Sequence, residues 1–365
     1  MAAAKSVVVC LSGGVDSTVA AHLLQQQGYD VVAITFWFWS FSDAPDYAGN
    51  TKCCSLDAAA QAARELGVPH EEIDASDAFY ELVLEDFVAR YRRGETPNPC
   101  GRCNRLLRFG TALEYAQKHG LDYVATGHHV RLRRTSDRGY ALYRGRDPAK
   151  DQTYFLYGLQ QKDLARLLFP VGELTKQDVF SIAHHRHLSC AELPESQDLC
   201  FAVAGETAFL FEQADLEPGP ILDLSGHKVG QHQGLPRYTI GQRRGVGIPA
   251  EHPLYVVDID PERNALIVGE EDALLRGGLC AKDANYLSGA PPPDDTSVET
   301  KIRYRSSPVG AVFRSTTQGS FSLAFHTPQR AVTPGQLAVL YEGNRLLGGG
   351  TITREADCPR PSPSV

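Results

Sequence analysis

Cys10-Leu11-Ser12-Gly13-Gly14-Val15-Asp16-Ser17 is the stretch whose reading decides the fold. An apolar, β-branched run from Ser6 to Val9 precedes it. A segment with helical spacing follows, in which Val19, Ala20, Leu23 and Leu24 share one face. A strand thus feeds a glycine-rich turn, and the turn feeds a helix N-terminus. Paired glycines let the backbone approach a ligand closely. The unpaired N–H groups of the helix start, with the Ser12 and Ser17 hydroxyls, suit a phosphate or pyrophosphate. Gly-Gly alone would make only a tight turn, so the full Ser-Gly-Gly-Val-Asp-Ser pattern carries the specificity. No Gly-Lys-Ser/Thr follows, which excludes a Walker loop. Asp16 has two readings: it helps hold the metal that accompanies a triphosphate, or it complements the helix dipole.

Working outward, strand and helix alternate. Val31 to Trp37 reads as a buried strand, Ser55 as the cap of a helix through Leu66, and His70 to Asp74 as a third strand. Ser76 reads as the cap of an amphipathic stretch, Phe79 to Tyr91, and a further helix runs from about Asn104 to Lys118. Tyr123 to Thr126 is a fourth strand, ending at Gly127-His128-His129. Such repeated units predict an α/β fold with a doubly wound parallel sheet and ligands at the carboxyl ends of its strands. Val130 to Arg134 and Tyr140 to Arg144 read as a hairpin added to that core, and Thr175 caps a helix through His187. After about Ala204 the texture becomes Gly-rich and basic, with little periodicity from Gly230 to Ile248 and a hairpin around Asp260-Pro261-Glu262-Arg263-Asn264. From a boundary near Leu279, short strand-like runs with close turn signals predict a small β-barrel. The domains expected are 1–205, 206–278 and 279–356, with a disordered tail at 357–365.

The chain's 365 residues allow two or three domains, and 42% hydrophobic with 22% charged residues is ordinary for a globular protein. No apolar run reaches membrane-span length, and no signal peptide is read, so the expectation is cytoplasmic, without a membrane partner. A net charge of −8 argues against nucleic-acid binding through bulk charge. The basic clusters at Arg90 to Arg93, Arg131 to Arg134, Arg243-Arg244 and Lys301 to Arg305 each read as either a solvated face or a phosphate site.

Nine cysteines without a regular framework suit a reducing compartment and metal or catalytic use. In Thr96-Pro97-Asn98-Pro99-Cys100-Gly101-Arg102-Cys103-Asn104, a thiolate ahead of a helix start, beside Arg102 and Arg105, should have a depressed pKa. Ser196-Gln197-Asp198-Leu199-Cys200-Phe201 places a second cysteine on a polar loop. Cys-x-x-Cys alone fits half a zinc site, a redox pair or two buried thiols, and no second Cys-x-x-Cys completes a zinc ribbon. The adjacent Cys53-Cys54 reads as structural, and Cys190, Cys280 and Cys358 have no partner motif.

The phosphate loop resembles the PP-loop of ATP pyrophosphatases (adenine nucleotide α-hydrolase-like). The ordered set also includes Thr-Pro-Asn-Pro-x-x-x-Cys-Asn, Ala-Thr-Gly-His, Lys150-Asp151-Gln152-Thr153-Tyr154-Phe155-Leu156 and Phe169-Pro170-Val171-Gly172-Glu173-Leu174. Asp198-Leu199-Cys200-Phe201, Tyr238-Thr239-Ile240-Gly241-Gln242-Arg243 and Thr333-Pro334-Gly335-Gln336 complete it. Over about Lys5 to Arg354 this resembles the tRNA-specific 2-thiouridylases (tRNA-uridine 2-sulfurtransferases). The resemblance implies ATP-dependent 2-thiolation of the wobble uridine in tRNAs for Glu, Gln and Lys, with ATP cleaved to AMP and pyrophosphate. It implies a PP-loop catalytic domain, a small central tRNA-binding domain and a C-terminal β-barrel. By resemblance, Cys10, Leu11, Ser12, Gly13, Gly14, Val15, Asp16, Ser17, Phe36 and Gly127 contact ATP, with Mg2+. Cys103 is the implied catalytic cysteine and Cys200 the persulfide carrier, the two ending as a disulfide. His128, Lys150, Asp151, Gln152, Arg303, Tyr304 and Gln336 are the implied contacts to the tRNA anticodon stem-loop. The resemblance also implies a sulfur-relay protein or cysteine desulfurase as the sulfur donor.

One departure matters: many family members carry Asp where this chain has Cys100. Three candidate thiolates, Cys100, Cys103 and Cys200, with an open fourth position would suit a [4Fe–4S] cluster as an alternative sulfur source. Two rival functions are another PP-loop adenylating enzyme, which would not require the cysteine pair, and a non-catalytic RNA-binding scaffold with a cysteine metal site.

Overall fold

The computed structural model describes residues 4–39, 56–136, 139–194, 199–202, 207–249, 251–316 and 319–354. The first sheet contains β1 (Ser6–Cys10), β2 (Asp30–Trp37), β3 (His70–Asp74) and β4 (Tyr123–Thr126). The hairpin strands β5 (Val130–Arg134) and β6 (Tyr140–Arg144) follow in the chain, and then β7 (Leu167–Leu168) returns to the first sheet. Its order is β3-β2-β1-β4-β7 and every pair is parallel. Val7 and Val9 pack with Ala21 and Leu24 of the helix α1 (Val15–Gln26), whereas Val8 and Cys10 face the opposite core with Phe36 and Phe79. Both faces of β1 are therefore covered, which is why its sequence is a continuous apolar run rather than an alternation. The helix Lys176–His185 is closed by the Thr175–Asp178 capping box and packs Val179 and Ala183 against Val15 and Val19 of α1.

Four strands follow: β8 (Gly219–Leu222), β9 (Lys228–His232), β10 (Tyr255–Asp260) and β11 (Ala265–Gly269), in the order β10-β11-β8-β9. The β10–β11 hairpin is where the sequence placed it. β8 and β9 escaped that reading because Gly219-Pro220 and Gly230 break any apolar alternation. The last six strands are β12 (Leu275–Tyr286), β13 (Thr296–Lys301), β14 (Val309–Ser315), β15 (Phe321–Arg330), β16 (Leu337–Glu342) and β17 (Arg345–Ile352). They run β12-β15-β14-β13-β16-β17, and β12–β17 pairing closes the barrel. β12 runs unbroken through the expected boundary near Leu279.

Two local readings are corrected. The β5–β6 hairpin does not extend the parallel sheet; β6 pairs with β17 through Tyr143 and Arg345, so the N-terminal region contributes two strands to the barrel's edge. The helical stretch after β3 starts at Ser76 rather than Phe79; Ala75 holds the cap position, and Asp74 just before it accepts from Ser76 N at 3.0 Å and Oγ at 2.6 Å. Cys53, Cys54, Cys358 and the tail expected at 357–365 lie outside the described residues, as does Ser55.

The regions are stitched by long side chains. Arg92 pairs with Asp215 at 2.8 Å, linking the first region to the central one. Arg354 donates to Arg93, Gly94 and Ile259 carbonyls, tying all three together. No helix among the described residues is long and apolar enough to cross a membrane.

Candidate active site

The parallel registers Cys10↔Ile34 and Cys10↔Thr126 bring the ends of β1, β2 and β4 level. The loop after β1 therefore meets Gly127 directly. A Cβ on Gly127 would lie 2.6 Å from Asp16 C and Ser17 N, so only glycine lets the two chains touch there. Gly13 has φ +78°, and a Cβ on it would lie 2.7 Å from Ala59 N. Within the loop, Ser17 Oγ accepts from Ser12 N at 3.1 Å and donates to Gly14 O at 3.1 Å, with Ser12 Oγ 3.0 Å away. These bonds hold the turn in a fixed shape at the start of α1.

Asp16 is not an isolated carboxylate. Lys176 Nζ lies 2.8 Å from both its oxygens, and His129 Nε2 lies 3.0 Å from Oδ1. Burial pushes the Asp16 carboxyl upward, but the His129 hydrogen bond and the Lys176 ammonium outweigh it and hold the pKa below the usual range. Gln152 Oε1 accepts from His129 N at 2.9 Å and so positions that histidine. Sequence reading missed Lys176 and His129, since nothing local ties either to a loop so far away in the chain. Phe36 is buried at the end of β2 and stacks on Phe38 with centroids 5.5 Å apart.

His128 is buried, with Nδ1 2.8 Å from Thr126 Oγ1. Burial, reinforced by the Arg108 charge, lowers its pKa to about 3, which keeps the ring neutral near pH 7. A neutral ring is a hydrogen-bonding partner, not a cation for phosphate.

The cysteine motif is helical from Pro99, not from Asn104. Asn98 Oδ1 accepts from Gly101 N at 2.9 Å and caps the turn, with Pro at the first position. A π-helical segment, Asn104–Arg108, then carries the chain into the helix Phe109–Lys118. Cys103 is buried, while Cys100 and Cys200 are half-buried; all three are reduced thiols. Their neighbourhood is legible from Cys100: burial pushes its thiol up to about 12, and the nearby Cys200 and Cys103 add to the shift while Arg108 opposes it. At Cys100 the expected depressed pKa is thus corrected. Arg102 donates to Leu82 O and pairs with Asp86, and Arg105 donates to Asp283 O, so neither guanidinium is committed to the thiols. Phe201 beside Cys200 is buried against Phe87 at 5.1 Å and Phe79 at 6.0 Å, anchoring that segment. Gln197 and Asp198 lie outside the described residues.

Among the described residues no group of three or more His, Cys, Asp or Glu side chains is arranged to hold a metal ion. Cys190 is a reduced, buried thiol, while Cys280, read from sequence as partnerless, is disulfide-bonded.

The implied tRNA contacts divide into two groups. Asp151 is buried, its Oδ1 accepting from Gly145 N, Thr153 N and Thr153 Oγ1. Arg303 Nη2 donates to Ile240 O, Ala331 O and Thr333 Oγ1, and Gln336 Nε2 to Thr96 O and Pro97 O. These three are internal braces. Lys150, Gln152 and Tyr304 are half-buried and so partly accessible, and Tyr304 packs against Phe155 with tilted rings, centroids 4.4 Å apart.

Three family models match the chain: a tRNA methyl transferase HUP domain over residues 5–204, a tRNA methyl transferase PRC-barrel domain over 207–270 and an aminomethyltransferase β-barrel domain over 276–352. The tRNA-specific 2-thiouridylase MnmA of Moorella thermoacetica is 44% identical over 352 residues, covering 94% of this chain and 98% of its own. The enzyme of that name from Thermus thermophilus is 46% identical over 360 residues, covering 96% and 95%. Among solved structures, the U34-tRNA thiolase NcsA from Methanococcus maripaludis matches at 18% identity and TM-score 0.33, over 53% of this chain and 61% of its own.

Proposed function

The chain belongs to the tRNA-specific 2-thiouridylase family, and from that premise we propose that it replaces the C2 oxygen of a tRNA wobble uridine with sulfur, using ATP. A uracil C2 carbonyl is a weak electrophile with oxide as its leaving group. Transfer of AMP onto that oxygen, with release of pyrophosphate, supplies a good leaving group. The loop from Cys10 to Ser17 and the Gly127 approach hold the nucleotide for this step, with Phe36 at the end of β2 beside it. An unpaired anticodon base is extruded at low cost to reach the pocket.

Sulfur transfer falls to the thiols. The terminal sulfur of a Cys200 persulfide attacks C2, a C–S bond forms and the C2–O bond breaks, releasing AMP. The Cys103 thiolate then attacks the Cys200 sulfur, the S–S bond to the nucleobase sulfur breaks, and its electron pair becomes the thiocarbonyl. The Cys103–Cys200 disulfide is left for a thiol reductant to reopen. What carries this reading is the convergence of Cys100, Cys103 and Cys200, far apart though Cys200 is from the other two in the chain.

A sulfur-relay protein or cysteine desulfurase would load Cys200. Lys150, Gln152 and Tyr304 are proposed to meet the anticodon stem-loop, with His128 hydrogen-bonding at the base and Asp151, Arg303 and Gln336 bracing that surface. Magnesium accompanies a triphosphate, yet Lys176 and His129 already engage Asp16. The three thiols likewise do not form a ligand set as they stand. No step is therefore routed through either a magnesium ion or an iron–sulfur cluster.

The test is stoichiometric. Protein prepared anaerobically and found free of iron and sulfide, given tRNA, ATP and a persulfide donor, is expected to yield 2-thiouridine, AMP and pyrophosphate in equal amounts. Release of ADP, or thiolation only after iron and sulfide are restored, would contradict the persulfide route.

A further inference from the structure

The loop lacks the lysine that Walker loops place among their own residues, yet the fold brings one from elsewhere. We propose that Lys176 is a phosphate-contacting residue of the ATP site, its ammonium supplied from a remote helix and held ready by Asp16 and His129. This deepens the ATP-dependent reading above and rests on it.

Three observations carry the inference. Lys176 is the first residue of the helix Lys176–His185 and only 9% exposed. A cation at that end opposes the helix dipole, and burial of its stem and ammonium is costly, so local preference does not explain it. Second, Nζ lies 2.8 Å from both oxygens of Asp16, itself in the first turn of α1, directly after the glycine-rich loop. The ammonium therefore stands beside the phosphate cradle. Third, His129 is buried, and its Nδ1 has no hydrogen-bond partner among the described residues. The Asp16 carboxylate balances the Lys176 ammonium one for one. The positive end of α1 is left over beside them, and a phosphate satisfies it.

The path of the lysine is also fixed. Its backbone N–H donates to Asp147 Oδ2 at 3.0 Å, and Thr175 caps the helix from one residue before. Its ammonium lies 5.1 Å from the centre of the Phe180 ring, a cation–π contact that adds to the hold of Asp16.

A purely structural role, in which Lys176 only neutralises Asp16, makes a different prediction. The experiment is titration calorimetry of pyrophosphate and of a non-hydrolysable α,β-methylene ATP analogue. It uses the intact protein without tRNA, for the wild type, Lys176→Met, Asp16→Asn and the Asp16→Asn/Lys176→Met double variant. The double variant removes both charges together and keeps the fold when Lys176→Met alone does not. The expected result is a melting temperature for the double variant near wild type, with pyrophosphate affinity at least 10-fold weaker. Lys176→Arg should retain part of the affinity. Wild-type pyrophosphate affinity in the double variant would overturn the proposal while leaving the ATP reading intact. Failure of the wild type itself to bind either probe would overturn both.

Discussion

The nucleotide loop and the thiol pocket are built on opposite principles. The loop is small residues and backbone: Gly13 and Gly127 allow contact that any Cβ would prevent, and the Ser12–Ser17 bonds fix its shape. The thiol pocket is side chains held by irregular helix. A π-helical segment follows Cys103, and Cys200 enters from a separate segment anchored by Phe201. Backbone cradles hold a ligand without titrating, whereas thiols answer to their surroundings, as Cys100 does by its pKa of about 12. The comparison teaches that ATP binding and sulfur transfer, though parts of one reaction, should separate on mutation.

The largest expected effect is on the thiol side. Cys103→Ser and Cys200→Ser should each remove thiolation altogether, while affinity for the ATP analogue stays within about twofold; a parallel loss of both would merge the two regions. The mirror experiment is Gly127→Ala, whose Cβ would meet Asp16 and Ser17 at 2.6 Å. Nucleotide affinity should fall by about 100-fold, near 2.7 kcal/mol, with an unchanged count of reactive thiols. Retained affinity would mean that the strand end is not part of the cradle.

A third prediction sharpens the electrostatic contrast. Because the Cys100 pKa is raised, its reactive thiolate is scarce at pH 8 and grows about tenfold per pH unit towards about 12. Alkylation mapped by mass spectrometry should find Cys100 slower than a free cysteine at pH 8 and accelerating up to that value. A rate that levels off near pH 7 would restore the low-pKa reading. The smallest effect belongs to the bracing. Gln336→Ala deletes the bonds to Thr96 and Pro97, so stability should fall by about 1 kcal/mol, and thiolation should fall severalfold with ATP affinity unchanged.

These contrasts track what was legible in the sequence. The loop, the strands around it and the Thr175 cap follow from neighbouring residues, and the structure has them where the pattern puts them. The barrel strands from Thr296 onward were also legible, to within a few residues. What failed was non-local. Lys176 reaches Asp16 only through tertiary packing, and the β5–β6 hairpin joins the barrel where the start of β17, at Arg345, runs beyond its pairing with β12. The expected low thiol pKa failed at Cys100 because the fold buries that thiol, and Arg102 and Arg105, adjacent in sequence, turn their guanidiniums to Leu82, Asp86 and Asp283. The internal bonds of Arg303, Asp151 and Gln336 to carbonyls and amides of the fold were likewise beyond the reach of local pattern.

The most direct test of the account is a single turnover on protein carrying a ³⁵S-labelled persulfide at Cys200, with ATP and tRNA, quenched by acid and mapped by mass spectrometry. The account predicts one labelled 2-thiouridine, one AMP and one Cys103–Cys200 disulfide for each persulfide consumed. Labelled 2-thiouridine formed at the same rate in Cys103→Ser, with no disulfide in the wild type, would contradict it.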